Sequence, residues 1–489
     1  MSEQPPTGSA TTGQPGPSRA GAVRPLVMWA QRRAHLLPAP ARRGLGQLAR
    51  TLIHDRGAAA PEADWRVPLV AGGTGDIEDL GPTAEPPARD VPNARAKPAT
   101  VRRCAVVTGP DKGGAEEFAA FLARRLPERG IETVFVRAAD TADDDPLLRT
   151  LAAAGVPTVT ALPGDQRWLR TVDPDVVSAH CAPDWALDAV AAAGVPWVET
   201  LHGMHAFMHP HTWPGERERA RRVTAQVAVS DLVRRQYLAV NPDYPADRVV
   251  TVPNGVDLDR APRVDRTLAR RALGLTDEFL FVSLARYSLQ KNTYGLVSAF
   301  AEVAAAHPGT HLLVAGHTDD GPYTQQIMRL ARSLPAADRI HLRALCRNPS
   351  GLLAAADAFV LDSYFEGWSL ASMQAMAAGL PVVLSDVGGA REQLGPDGAW
   401  GHLVGNPGGD PSRIGWAEIG ATRFRTQVNR AELVAAMSAV VRDRAAWADR
   451  REELAERGRT RFPADACLRR HADVLLGYAR PGSGSQLVQ

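Results

Sequence analysis

Short runs of β-branched and aliphatic residues recur along this 489-residue chain, alternating with segments of helical period. One series comprises CAVVTG (104–109), Thr133–Val136, PDVVSAH (174–180), PWVETLH (196–202), QVAVS (226–230) and RVVTVPN (248–254). A second series starts after Gly274 with FLFVSLA (279–285), then HLLVAG (311–316), IHLRA (340–344), AFVLDS (358–363) and PVVLSD (381–386). Near-continuous apolar strands separated by helices specify parallel sheets covered on both faces. Two series of similar size predict an α/β chain with two doubly wound domains, joined near residues 255–278.

Composition limits the function classes. An apolar fraction of 45% and a formal charge of +2 describe a globular chain with no global demand for a nucleic-acid partner. The cysteines, Cys104, Cys181, Cys346 and Cys467, are scattered without a CxxC or zinc spacing, which suits reduced thiols in the cytoplasm. No apolar run approaches the ~18–20 residues that span a bilayer. The start, MSEQPPTGSATTGQPGPS, lacks the apolar centre of a secretory signal.

Residues 1–23 have a disordered composition. Residues 24–57 carry Arg24, Arg32, Arg33, Arg42, Arg43, Arg50 and Arg56 against a single acid, Asp55, with Leu45, Leu48, Leu52 and Ile53 at helical spacing. Two readings stay open for 24–57: a basic amphipathic helix making peripheral contact with an anionic membrane, or a helix packed on the body or solvated. Residues 58–100 read as linker. The expected division is an extension and linker over 1–100, a first domain over 101–272, a second over 273–462, a final helix over 463–480 and a tail over 481–489.

In open α/β sheets, ligands bind beyond the carboxyl ends of the strands. Within LDSYFEGWSLASMQAMAAGLPVVLSDVGGAREQL (361–394), Glu366 lies in such a loop. Ser369 is an N-cap, the helix runs to about Ala378, and Gly379 stops it. N–H groups near Ser369, Leu370 and Ala371 form an anion site, and Glu366 accepts from sugar hydroxyls. Gln374 lies about one turn into the helix and reaches the same crevice. The bland alternative is a loop acid and a solvated glutamine. Arg286 and Lys291, directly after a strand, suit a diphosphate. In GPDKGGAEEF (109–118), Gly113 and Gly114 let backbone approach a ligand, though neither a GxGxxG nor a Walker pattern is present. His202 precedes Gly203, with His205, His209 and His211 beyond. Their spacing fits no standard zinc pattern, so no metal is expected and His202 is read as a hydrogen-bonding group facing the cleft.

Together these segments resemble the family 4 retaining glycosyltransferases of the GT-B fold, over about residues 101–480. The resemblance rests on the GGAE loop, PDVVSAH, LHG, VAVS followed by PNGVD, the Arg286 and Lys291 pair, and EGWSLASMQAMAAGLPVVLSDVGG. It implies two facing Rossmann-like domains, with a nucleotide diphosphate sugar donor held mainly on the second. The acceptor, a sugar, a lipid-linked sugar or a small molecule, lies mainly on the first. It also implies a final helix, here 464–479, crossing back to the first domain, and transfer with retention, no metal and no cofactor.

By resemblance, Glu366 is the first glutamate of an E-x7-E motif and contacts donor-sugar hydroxyls. Gln374 replaces the second, which binds ribose, and lacks charge assistance worth about 1–2 kcal/mol. Arg286 and Lys291 take the diphosphate, Gly113 and Gly114 approach it from the opposite domain, and His202 sits near the reacting sugar. Leu345 and Cys346 lie in the segment that meets the base through backbone groups. The catalytic candidates are His202 and Glu366. The alternatives are a sugar-nucleotide epimerase on this fold, which needs further acid–base carboxylates, and a non-catalytic nucleotide-sugar-binding protein, against which Glu366, Arg286 and Lys291 argue. The expected location is the cytoplasm, with 24–57 pointing to the inner face of the membrane.

Overall fold

The computed structural model describes residues 60–83, 102–109, 113–139, 146–203, 210–258, 262–396 and 398–480. The basic segment 24–57, the tail 481–489, His205 and His209 lie outside these residues.

The first sheet contains β1 (Arg102–Thr108), β2 (Ile131–Ala138), β3 (Thr158–Ala161), β4 (Val176–His180), β5 (Trp197–Leu201), β6 (Ala225–Ala228) and β7 (Val249–Thr251). The second contains β8 (Phe279–Leu284), β9 (Thr310–Ala315), β10 (Ile340–Arg343), β11 (Ala358–Leu361), β12 (Val382–Ser385) and β13 (Gly401–Val404). Their orders are β3-β2-β1-β4-β5-β6-β7 and β10-β9-β8-β11-β12-β13, and the neighbours run parallel. Each sheet is covered on both faces. In β1, Cys104 and Val106 enter one core layer with Phe118 and Leu122, while Ala105 and Val107 enter another with Trp168 and Leu187. Burial of both faces is why the strands read as unbroken apolar runs.

Strand order reverses between β1 and β4 in the first sheet and between β8 and β11 in the second. At such switch points the following loops diverge and leave a crevice. The loops that follow these strands carry Gly113 and Gly114, Arg286 and Lys291, and Glu366.

Two chain crossings lie side by side at the joint. Val256 bridges Pro463, and a Cβ on Gly255 would stand 2.8 Å from the Pro463 carbonyl oxygen. Arg125 donates to Asp257 and, at 2.6 Å, to Asp465, tying both crossings to the Gly114–Arg125 helix. The Ala464–Tyr478 helix then packs Cys467, Leu468, Ala472 and Leu475 into the first domain's core.

Two boundaries differ from the sequence reading. The Arg266–Leu273 helix buries Ala269, Ala272 and Leu273 in the core of the second sheet, so that domain begins before 273. Residues 61–83, read as linker, are also packed on the second domain, with Trp65, Leu69 and Ile77 buried in the same core. Average composition hid this: three well-spaced apolar anchors hold a segment otherwise rich in Gly, Pro and acids.

Candidate functional site

The loop after β11 brings a carboxylate and a cation together. Glu366 is 8% exposed and accepts from Ser363 Oγ at 2.7 Å. Its Oε1 also pairs with Lys291 Nζ at 2.5 Å. Lys291 ends a short 3-10 turn, Leu289–Lys291, which follows β8. The next residue, Asn292, adopts a left-handed conformation with φ 47°. There its Nδ2 donates to Asp362 Oδ2 at 2.8 Å, while Asn429 Nδ2 donates to Asp362 Oδ1 at 2.7 Å. Burial pushes the Asp362 carboxyl up to about 7, although both amides favour its ionised form. Asp362 thus braces the β8 and β11 loops from beneath. The sequence showed Asp362 only as a strand end, because its two partners are remote in the chain.

Arg286 stands beside this pair, linked to Asp319 at 2.6 Å and to Gln290 Oε1 at 3.3 Å. Gln290 in turn donates to the Phe365 carbonyl at 3.0 Å. Ser369 accepts from the Ser372 N–H at 3.2 Å, capping the Leu370–Ala377 helix. The N–H groups of Leu370 and Ala371 lie in the open first turn, where helix geometry offers no carbonyl. A Cβ on Gly114 would stand 3.6 Å from Leu370 Cδ1, so the loop after β1 lies over this helix end. Gly113 has extended backbone and open space around its Cβ position.

The two domains meet at Gly367. A Cβ there would stand 2.0 Å from the His202 carbonyl oxygen, so only glycine allows the turn after β5 to pack on the loop after β11. His202 Nε2 shares a hydrogen bond with His180 Nδ1 at 2.8 Å, and His180 Nε2 shares one with Ser178 Oγ at 2.9 Å. Ser178 and His180 are two apart on β4 and share a face. The Phe118 ring packs on His202 and His471, with centroids at 5.7 and 5.4 Å. Burial pushes His202 down to about 4, His471 down to about 3, and His180 well below its ordinary value. The cluster is therefore neutral near pH 7. Its hydrogen bonds allow two tautomeric arrangements, so His202 Nδ1 either donates or accepts. The alternation of Ser178 and His180 in PDVVSAH was the available signal; their meeting with His202 and His471 was not visible.

Gln374 lines a neighbouring cavity of 960 Å³ with Leu258, Arg347, Asn348 and Ser350. Leu345 is 51% exposed at the start of the loop that precedes Arg347. The Cys346 side chain does not face the cavity. It is buried in the second domain's core, and burial pushes its thiol up to about 11. The structure thus gathers Glu366, Lys291, Arg286, Ser369, Leu370, Gly114 and His202 around the crevice, with Gln374 along the adjoining cavity. Among the described residues, no group of three or more His, Cys, Asp or Glu side chains is arranged to hold a metal, and no helix is long and apolar enough to cross a membrane.

Residues 265–412 match the family described as glycosyl transferases group 1, and residues 112–260 match glycosyltransferase family 4. The D-inositol 3-phosphate glycosyltransferase of Acidothermus cellulolyticus is 30% identical over 400 residues, covering 71% of this chain and 88% of that protein. The glycogen synthase of Mycobacterium tuberculosis is 30% identical over 249 residues, covering 46% of this chain and 55% of that protein, so the match spans about half of that relative. The crystal structure of Anabaena HepE in complex with UDP and glucose shares the fold, with a TM-score of 0.62, 17% identity, and coverage of 77% of this chain and 100% of that one.

Proposed function

The chain belongs to the group 1, family 4 glycosyltransferases, and on that premise we propose that it moves a sugar from a nucleoside diphosphate sugar to an acceptor hydroxyl, with retention and without a divalent cation. The observation that carries this reading is the contact between Lys291 and Glu366 beside the N-terminus of the Leu370–Ala377 helix. An anion-binding helix end, a cation and a hydroxyl-accepting carboxylate in one crevice suit a ligand whose diphosphate adjoins a sugar.

In this reading Arg286, Lys291 and the Leu370 and Ala371 N–H groups hold the diphosphate, Glu366 holds the sugar hydroxyls, and Gln374 holds the ribose. Breaking the bond from C1 to the phosphate oxygen builds positive charge on the sugar and negative charge on the diphosphate. The cations and the helix N–H groups stabilise that leaving charge, because they are already oriented before the bond breaks. The acceptor oxygen forms the new bond to C1 on the same face, and its proton passes to the departing phosphate. Neutral His202 positions a hydroxyl at the first domain's side. Relatives named for D-inositol 3-phosphate and for glycogen support a hydroxyl-rich acceptor. The proposed place of action is the cytoplasm, with 24–57 as the contact to the membrane's inner face.

A panel of UDP-, GDP-, ADP- and dTDP-sugars, scored by thermal stabilisation and then by acceptor-dependent release of nucleoside diphosphate, tests the proposal. One base class is expected to stabilise the protein and be turned over, with no loss in EDTA and with the donor's anomeric configuration kept in the product. Stabilisation by no member of the panel rejects the donor site. Binding without acceptor-dependent release leaves a non-catalytic binder instead.

A further inference from the structure

Residues 61–83 precede the first domain in the chain yet are built into the second. Residues 69–75 hydrogen-bond the 271–273 backbone and Thr83 the Arg263 carbonyl, while a second set of contacts falls on residues 342–348 at the end of edge strand β10. The Glu62 N–H donates to the Leu342 carbonyl at 3.2 Å, and the Ala344 N–H donates to the Glu62 carbonyl at 2.9 Å, extending the sheet edge by a short parallel bridge. Trp65 is 4% exposed, and its indole N–H donates to the Leu345 carbonyl at 3.4 Å. The Arg343 guanidinium lies 5.7 Å from that indole's centroid and donates to the Asp64 and Pro68 carbonyls.

Further along, Glu78 accepts from the Arg347 N–H at 2.9 Å and from its guanidinium at 2.9 and 3.1 Å. Asn348 Nδ2 donates to the Ile77 and Leu80 carbonyls at 2.9 and 3.0 Å, while its Oδ1 caps the Pro349–Ala355 helix through the Gly351 N–H. Outward polar groups of this loop are thus satisfied by the strap, and Arg347 and Asn348 line the same cavity as Gln374.

The strap is not a detachable lid. Trp65, Leu69 and Ile77 share a core with Leu352 and Leu353 of the helix that follows the loop, so its release would open that core. We infer that residues 61–83 form a fixed support behind the nucleotide subsite, with Trp65 and Glu78 as positioning residues that set the 342–348 loop for recognition of the nucleoside part of the donor. This rests on the donor reading above, which places ribose at Gln374.

Calorimetric titration of UDP, GDP, ADP and inorganic pyrophosphate into wild type, Glu78→Ala and Trp65→Phe full-length protein tests it. Glu78→Ala removes a pair that Arg347 leaves open to solvent, so the fold is expected to persist even where the tryptophan variant fails to fold. The expected result is about a tenfold loss of affinity for the preferred nucleoside diphosphate, with pyrophosphate affinity unchanged and a higher donor KM at unchanged kcat. Equal losses for pyrophosphate and nucleotide would make the strap merely structural. Unchanged affinities, or tighter nucleotide binding in the variants, would likewise overturn the inference. Failure of wild type to bind any of the nucleotides would instead reject the donor reading itself.

Discussion

In the second domain's half of the crevice Lys291, Glu366 and Arg286 are charged and braced from below by Asp362, whereas in the first domain's half Ser178, His180, His202 and His471 form a neutral, buried chain. The charged half suits a charged donor and must hold its groups in place before the ligand arrives. In the proposed reaction the neutral half would face the reacting sugar, where a permanent positive charge would oppose the developing oxocarbenium. The two halves touch through backbone at Gly367 and the His202 carbonyl, a contact that itself involves no ion pair.

Changes to the charged half should have the largest effect. Glu366→Gln is expected to lower kcat by about a thousandfold or more while the melting temperature moves by only a few degrees. Turnover within tenfold of wild type would remove the sugar site from this half. Gly367→Ala attacks the contact between the halves: a Cβ 2.0 Å from a carbonyl oxygen forces them apart. It is expected to cost about 1–3 kcal/mol in denaturant unfolding, together with most of the activity. Unchanged stability would mean that the halves stand apart in solution.

The halves also titrate in opposite directions. The three histidines have folded values below the unfolded one, so the unfolded chain binds more protons as pH falls below about 6.5. Their contribution to stability is present at neutral pH and is lost as pH drops from 6.5 toward 4. Asp362 is raised from 3.8 to about 7, so its native state keeps a proton that the unfolded chain releases. Its contribution is present below 3.8 and is lost as pH rises through 7. Three groups outweigh one, and the protein should lose stability on acidification between pH 6.5 and 4. His471→Phe should flatten that slope and Asp362→Asn should steepen it, each by about 1.4 kcal/mol per pH unit, read from urea midpoints. The Oδ1 atoms of Asn292 and Asn429 are buried without partners, so either amide can turn to meet the new side chain. An unchanged slope in both variants would mean that these groups titrate normally.

The smallest effect is expected at Gln374. Gln374→Glu should tighten nucleotide binding by about tenfold or less, through one charge-assisted hydrogen bond to ribose. A large calorimetric loss would place Gln374 away from the ribose.

Much of the second half was legible in the chain. Glu366, the Ser369 cap and the glycine stop lie within a few residues of one another, and capping acts over that range. The first half was less so. His202 was visible at a strand end, but its neutral state depends on Phe118, His180 and His471, which come from another strand's end and two helices. The strap was misread because Trp65, Leu69 and Ile77 carry no period, and single anchors leave no repeating pattern.

The sequence by itself determined the strands other than β3 and β13, their burial on both faces, the two-domain α/β architecture and the local shape of the 361–394 block, because alternation, capping and glycine turns are encoded by near neighbours. Only the tertiary structure decided that Lys291 meets Glu366 across 75 residues, that His180 meets His202, and that Trp65 reaches Leu345 across 280. Those contacts follow from strand order and from packing between layers, which set one remote segment against another without a local signal in either.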